Sequence, residues 1–172
     1  FTMLEWYRQG IGYMELMEDC ESLVSFTAEA LGKTLSVTYQ GMEIDLTPPW
    51  DRLAVREAFS RFAPMNMEDA LDADRFDEII VRDIEPNLGV HKPVFLLDYP
   101  EALASLARVK PDDPALSERF ELYLGRLELA NGYSELNDPA EQRLRFQRDL
   151  DARNCAGRTL YPMPERFLAS LT

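Results

Sequence analysis

The chain has 172 residues, 46% of them hydrophobic, enough for one domain with a sizeable core. Its formal net charge of −13 argues against a sequence-independent grip on nucleic acid, which depends on Lys and Arg neutralising phosphates. Cys20, Cys155 and the single His91 support neither a zinc cluster nor a Cys/His nucleophile pair and read as two reduced, buried thiols in a cytoplasmic protein; no apolar run approaches the roughly 18 residues of a membrane span, and no signal-peptide pattern opens the chain.

Phe1 to Arg8 alternates in character and predicts a strand with Phe1, Met3, Glu5 and Tyr7 on one face, ended by Gly10 and Gly12. Tyr13 to Leu31 carries apolar residues at helical spacing and stops at Gly32, which predicts a long amphipathic helix. Leu35–Tyr39 and Met42–Leu46 straddle Gln40-Gly41 as a hairpin. Thr47-Pro48-Pro49-Trp50 introduces a helical stretch through Phe62, and Ala63 to Glu85 reads as short helices holding Met, Phe and Ile in a satellite core.

Pro93 to Tyr99 predicts a compact apolar strand closed by Pro100. Arg119–Gly125 and Arg126–Tyr133 form a hairpin turning at Gly125-Arg126. Asp138-Pro139-Ala140-Glu141 supplies a cap, a first-turn proline and an acidic residue, so a helix runs to about Asn154, with a last helix from Pro164 to Leu171. The chain shows no repeat, low-complexity segment or convincing internal boundary, which predicts a single domain over residues 1–172. Hairpins, not helical crossovers, join most strands, so the sheet is expected to be antiparallel and the fold α+β.

The second hairpin is loaded with carboxylates and an amide. In a regular register from Gly125-Arg126, Tyr123 faces Glu128, Glu121 faces Ala130, and Glu128 and Ala130 share one face. Glu121 and Glu128 are then diagonal neighbours at roughly 7–8 Å. Gly132 permits a bulge that re-aims Asn131, Tyr133 and Glu135 toward the same space. Such a face, without an obvious basic partner, is costly unless a cationic ligand or metal offsets it, and two carboxylates suit Mg²⁺ whose shell is completed by phosphates. On pattern alone an exposed acidic pair is the commoner explanation. No phosphate-binding glycine loop is present, so a nucleotide would lie on the sheet itself.

Phe1-Thr2-Met3-Leu4-Glu5-Trp6-Tyr7 resembles the second strand of motif 2 in class II lysyl-tRNA synthetases. Glu118-Arg119-Phe120-Glu121, Asn131-Gly132-Tyr133-Ser134-Glu135-Leu136-Asn137-Asp138, Glu141-Gln142 and Arg145-Phe146 are similar to their lysine-pocket and metal segment. The resemblance covers the opening segment to about Cys20 and most of Pro86 to Asp149, and leaves the middle with little signal. Glu85-Pro86-Asn87-Leu88-Gly89 before Lys92-Pro93, and Leu129-Ala130-Asn131-Gly132 with alanine where bacterial lysyl-tRNA synthetases typically carry glycine, look closest to the PoxA/GenX type, the elongation factor P–lysine ligases.

That resemblance implies an incomplete class II core, adenylation of (R)-β-lysine with ATP and Mg²⁺, and transfer to a lysine side chain of elongation factor P. Alternatives are a lysyl-tRNA synthetase fragment acting on tRNA and an inactive synthetase-like binding module. By the same resemblance Phe1 stacks on adenine, Glu121 and Glu128 hold Mg²⁺ and the nucleotide, and Glu5, Tyr7, Asn131, Tyr133 and Glu135 line the lysine pocket. Ala130 at the pocket floor is expected to favour β-lysine over α-lysine through its methyl group. The motif 2 arginine and motif 3 fall outside these residues, which implies that this stretch alone is inactive. A homodimer is implied for the intact enzyme.

Overall fold

The computed structural model describes residues 2–32 and 34–171. The chain packs as two compact units, residues 1–134 and 135–172, a division that no linker-like composition announces.

The first unit is built on a four-stranded sheet in the order β3-β4-β5-β6: Asp51–Ala54, Val94–Pro100, Leu116–Leu124 and Leu127–Tyr133. β4, β5 and β6 are antiparallel, as hairpin connections dictate, but β3 runs parallel to β4 with Asp51 opposite Val94. This corrects the expected all-helical stretch from Trp50 to Phe62. Ladder pairing and burial of Leu53 hold Asp51–Ala54 extended, and the helix α2 starts only at Val55, running to Phe62. β1 (Ser36–Tyr39) and β2 (Met42–Asp45) form the expected hairpin, with Gln40 and Gly41 both at positive φ in its turn.

Alternation along β4 separates two cores. Phe95 and Leu97 join Phe120 and Leu122 of β5 under α1 (Tyr13–Ala30), against Tyr13, Met17, Cys20 and Trp50. Val94 and Leu96 face the opposite core, filled by α2, α3 (Met67–Asp72), α4 (Phe76–Ile79), a π turn at Ile80–Ile84 and Leu88, which follows a 3-10 turn at Glu85–Asn87. Ala63 to Glu85 therefore supplies a principal core and not a satellite. Burial pushes the Cys20 thiol up to about 11, an unreactive position, whereas Cys155 is exposed, contrary to the expected pair of buried thiols.

Thr2–Tyr7 forms no strand. Its residues alternate as a strand would, but no neighbouring strand among the described residues takes up their backbone groups, and Met3, Leu4 and Tyr7 are exposed. In the second unit α5 (Pro139–Cys155) begins where the cap predicts: the Asp138 carboxylate accepts from the Ala140 and Glu141 amides at 2.8 and 3.2 Å. α6 (Glu165–Ala169) is tied to it by Arg143–Glu165 and Phe146–Phe167. No helix among the described residues is long and apolar enough to cross a membrane.

Candidate nucleotide and amino-acid site

The β5–β6 hairpin turns at Gly125-Arg126, pairing Leu124 with Leu127 and Tyr123 with Glu128. Leu129 then has no partner: Leu122 stands opposite Ala130, and Glu121 opposite Asn131. This one-residue bulge corrects the regular register, in which Glu121 would face Ala130. Glu128, opposite Tyr123, keeps the side of the sheet that Glu121 and Tyr123 share, and the bulge brings Asn131 to that side, with Tyr133 opposite Arg119 further along.

The same shift turns Ala130 away. Its methyl packs against the core under α1, beside Phe120 and Leu122, and not on the carboxylate face with Glu128. Gly132 is not the bulge residue. It lies opposite Phe120, and a Cβ there would come 2.4 Å from the Phe120 ring, so glycine is required by close packing.

On the carboxylate face, Glu121 is buried and accepts three hydrogen bonds. Arg119 Nη2 donates to Oε1 at 2.6 Å, and the Tyr99 and Tyr123 hydroxyls donate to Oε2 at 2.5 and 2.8 Å. Arg119 also donates through Nε to Asn131 Oδ1 at 3.3 Å and through Nη1 to the Leu103 carbonyl at 2.9 Å, with its guanidinium over the Tyr99 ring. The basic partner absent from the sequence reading is therefore Arg119, two residues before Glu121 and on the same face of the strand. Burial, reinforced by the Glu121 charge, pushes both tyrosine hydroxyls well above their usual range, so they remain donors.

The Tyr123 hydroxyl also lies 3.2 Å from Glu85 Oε1, which draws the 3-10 turn after the π turn into the site. Glu128 stands at the open edge of this face. Partial desolvation, followed by the charges of Glu121 and Glu85, raises its carboxyl above the usual range despite opposition from Arg119. The face thus has a surplus of negative charge that a cation would relieve.

Among the described residues no group of three or more His, Cys, Asp or Glu side chains is arranged to hold a metal ion. Two carboxylates on one face nevertheless fit Mg²⁺, which ordinarily takes one or two protein carboxylates and completes its octahedron with phosphate oxygens and water. Glu121 and Glu128 would hold such an ion only together with a nucleotide.

The remaining predicted residues are more dispersed. Glu5 and Tyr7 lie on the exposed opening segment, where the Tyr7 hydroxyl donates to Glu5 Oε1 at 2.9 Å. Asn131 is exposed and Tyr133 half-buried on β6, while Glu135 is exposed at the start of the second unit. The adenine-stacking expectation for Phe1 lies outside the described residues. Arg119 and Tyr123 could have been found by counting two residues either side of Glu121. Tyr99 and Glu85 could not, because they reach the face through chain irregularities.

Residues 1–158 match the family model described as "tRNA synthetases class II (D, K and N)". The chain is 38% identical to the lysine–tRNA ligase of Moorella thermoacetica over 193 residues, covering 99% of this chain and 39% of that protein. Identity to the lysine–tRNA ligase of Dehalococcoides mccartyi is 37% over 175 residues, covering 90% of this chain and 35% of that protein. Against the enzyme of that name from Coxiella burnetii it is 31%, covering 99% and 38% respectively. The chain thus spans about two-fifths of the length of these relatives. An α+β core with a carboxylate-bearing antiparallel hairpin and a family match over nearly its whole length make this chain a member of the class II tRNA synthetases of the D, K and N group.

Proposed function

We propose that the intact protein carrying this chain activates a lysine-type amino acid as its adenylate, using ATP with Mg²⁺. The observation that carries the reading is the placement of Glu121, Glu128, Asn131 and Tyr133 along one face of β5–β6, with excess negative charge at Glu128. Mg²⁺ bound there with ATP supplies charge neutralisation for the phosphates. Glu121 and Glu128 hold the metal–nucleotide side, and Asn131 and Tyr133 orient the amino acid. Glu5, Tyr7 and Glu135 keep the lysine-side role that the sequence resemblance implies, with a carboxylate of Glu5 or Glu135 receiving the substrate ammonium.

The acceptor is the finer question. The relatives, named as lysine–tRNA ligases, support transfer to tRNA. Transfer of (R)-β-lysine to elongation factor P is a second reading, favoured by Leu129-Ala130-Asn131-Gly132 and by Glu85–Gly89 before Lys92-Pro93. Since Ala130 packs toward α1, any selectivity of its methyl for β-lysine acts through the position of the strand and not by contact on the carboxylate face.

ATP–pyrophosphate exchange by the intact protein, with L-lysine and (R)-β-lysine in turn, tests the activation step. Exchange that needs one of the two is the expected result, and exchange indifferent to any lysine-type amino acid contradicts the reading. Offering labelled amino acid, tRNA and elongation factor P to the same preparation then decides the acceptor.

A further inference from the structure

Glu121 is held by more than its ion pair. Both hydroxyls on Oε2 come from tyrosines with no part in the proposed binding of substrate, and each arrives by a distinct route: Tyr123 from two residues along β5, Tyr99 from β4. Tyr99 reaches Glu121 only because the β4 alternation breaks. Asp98 has φ +62 and the register shifts between Leu97 and Tyr99, so Leu97 packs under α1 whereas Tyr99 packs on the opposite face.

Arg119 divides its fork. Nη2 serves Glu121 Oε1 and Nε, on the same edge of the guanidinium, serves Asn131 Oδ1. An arginine beside a carboxylate ordinarily prefers to take both oxygens with these two nitrogens. Here Oε2 is already occupied by two hydroxyls, which keeps the contact single and leaves Nε for Asn131.

Resting on the adenylation reading above, we propose that Tyr99 and Tyr123 are positioning residues that hold Glu121 to a single-point contact with Arg119, so that one arginine orients Glu121 on the nucleotide side and Asn131 on the amino-acid side. Without the hydroxyls, Oε2 is a buried oxygen lacking a donor, a costly state. Arg119 relieves it by closing a two-pronged pair on Glu121 and abandoning Asn131. The carboxyl group then turns into the arginine and away from the open face that it shares with Glu128.

The test combines Tyr99→Phe, Tyr123→Phe and the double change in the intact protein, with Mg·ATP binding read by calorimetry in the absence of amino acid and half-saturating lysine read by pyrophosphate exchange. The double variant is expected to bind Mg·ATP about tenfold more weakly, from the loss of hydrogen bonds to a charged acceptor, and each single variant less so. Half-saturating lysine rises in the double variant as Asn131 loses its partner. A lower melting temperature with unchanged Mg·ATP affinity means that the hydroxyls only support the fold and overturns the proposal. Should the double variant fail to fold, Tyr99→Phe, which leaves Tyr123 on Oε2, decides by the same readout: a loss severalfold above error supports it and no change overturns it. Wild-type protein that binds Mg·ATP yet shows no lysine-dependent exchange contradicts the adenylation reading, with the positioning role still decided by calorimetry. Wild-type protein that binds no Mg·ATP overturns both.

Discussion

Leu97 and Tyr99 stand two residues apart on β4 and pack on opposite faces of the sheet. Regular alternation would place them on the same face, and the left-handed backbone at Asp98 is what separates them. Asp98 is pinned in that conformation: its carboxylate accepts from the Tyr13 hydroxyl at 2.7 Å and from Lys110 Nζ at 2.8 Å. Burial, then the hydrogen bond to Asp98, pushes the Tyr13 hydroxyl up to about 12, and the bonds to Asp98 and Tyr13 raise the Lys110 ammonium although burial works against its charge. An aspartate is one of the few side chains that tolerates this backbone.

Asp98→Ala is therefore expected to cost about 2–4 kcal/mol, combining backbone strain with the loss of two partners. Asp98→Asn keeps the backbone tolerance and a hydrogen-bonding oxygen, and loses about half as much. Thermal unfolding of the chain compares them, with about 2–4 °C expected per kcal/mol at this size. Equal losses would show that the left-handed conformation contributes nothing.

Gly132→Ala places a methyl carbon 2.4 Å from Phe120, whose ring is fully buried, so ring or strand must shift. Overpacking of this kind costs about 1–3 kcal/mol. Phe120→Leu in the same chain frees space, so the double variant loses less than the sum of the two single changes. Strict additivity would mean that the strand moves away instead.

Glu128→Gln separates stability from function. Burial and the neighbouring Glu121 charge raise the folded-state carboxyl above its unfolded value, so the folded chain binds this proton more readily than the unfolded chain does. The ionised group consequently destabilises the fold above its folded pKa, and that penalty disappears as the pH falls below the unfolded value of about 4.3. Glu128→Gln should melt above wild type at pH 7, with the difference closing toward pH 4, while Mg·ATP binding weakens. A variant that melts below wild type at pH 7 contradicts this electrostatic account.

Much of this architecture is legible from local chemistry. The Gly125-Arg126 turn, the Asp138 cap with Pro139 behind it, and the Tyr13–Ala30 helix all follow from residues adjacent in sequence. What escapes is non-local. Asp51–Ala54 is extended because β4 lies beside it, and Thr2–Tyr7 fails to be a strand because no strand among the described residues pairs with it. In the site, Glu121, Glu128 and Asn131 were identifiable as residue types. That Asn131 joins the two glutamates on one face depends on unpaired Leu129, which no periodicity marks, and the same residue sends Ala130 to the other side.

For the amino-acid side, Glu135→Gln in the intact protein should raise half-saturating lysine and leave that for ATP little changed. A charge-assisted hydrogen bond to the substrate ammonium is worth about 1.5–3 kcal/mol, or roughly 10–150-fold in affinity. Equal losses for lysine and ATP, measured by calorimetry, would remove Glu135 from the pocket.

The most direct test of the central claim, that the β5–β6 carboxylates hold Mg·ATP as a unit, is a double-mutant cycle of Glu121→Gln and Glu128→Gln in the intact protein, read as the Mg²⁺ concentration required for half-maximal pyrophosphate exchange. Either change alone should raise that requirement, and the two together should cost less than their sum, because both act through one ion. An unchanged Mg²⁺ requirement, or full additivity, would show instead that the two glutamates are separate charges on an exposed strand.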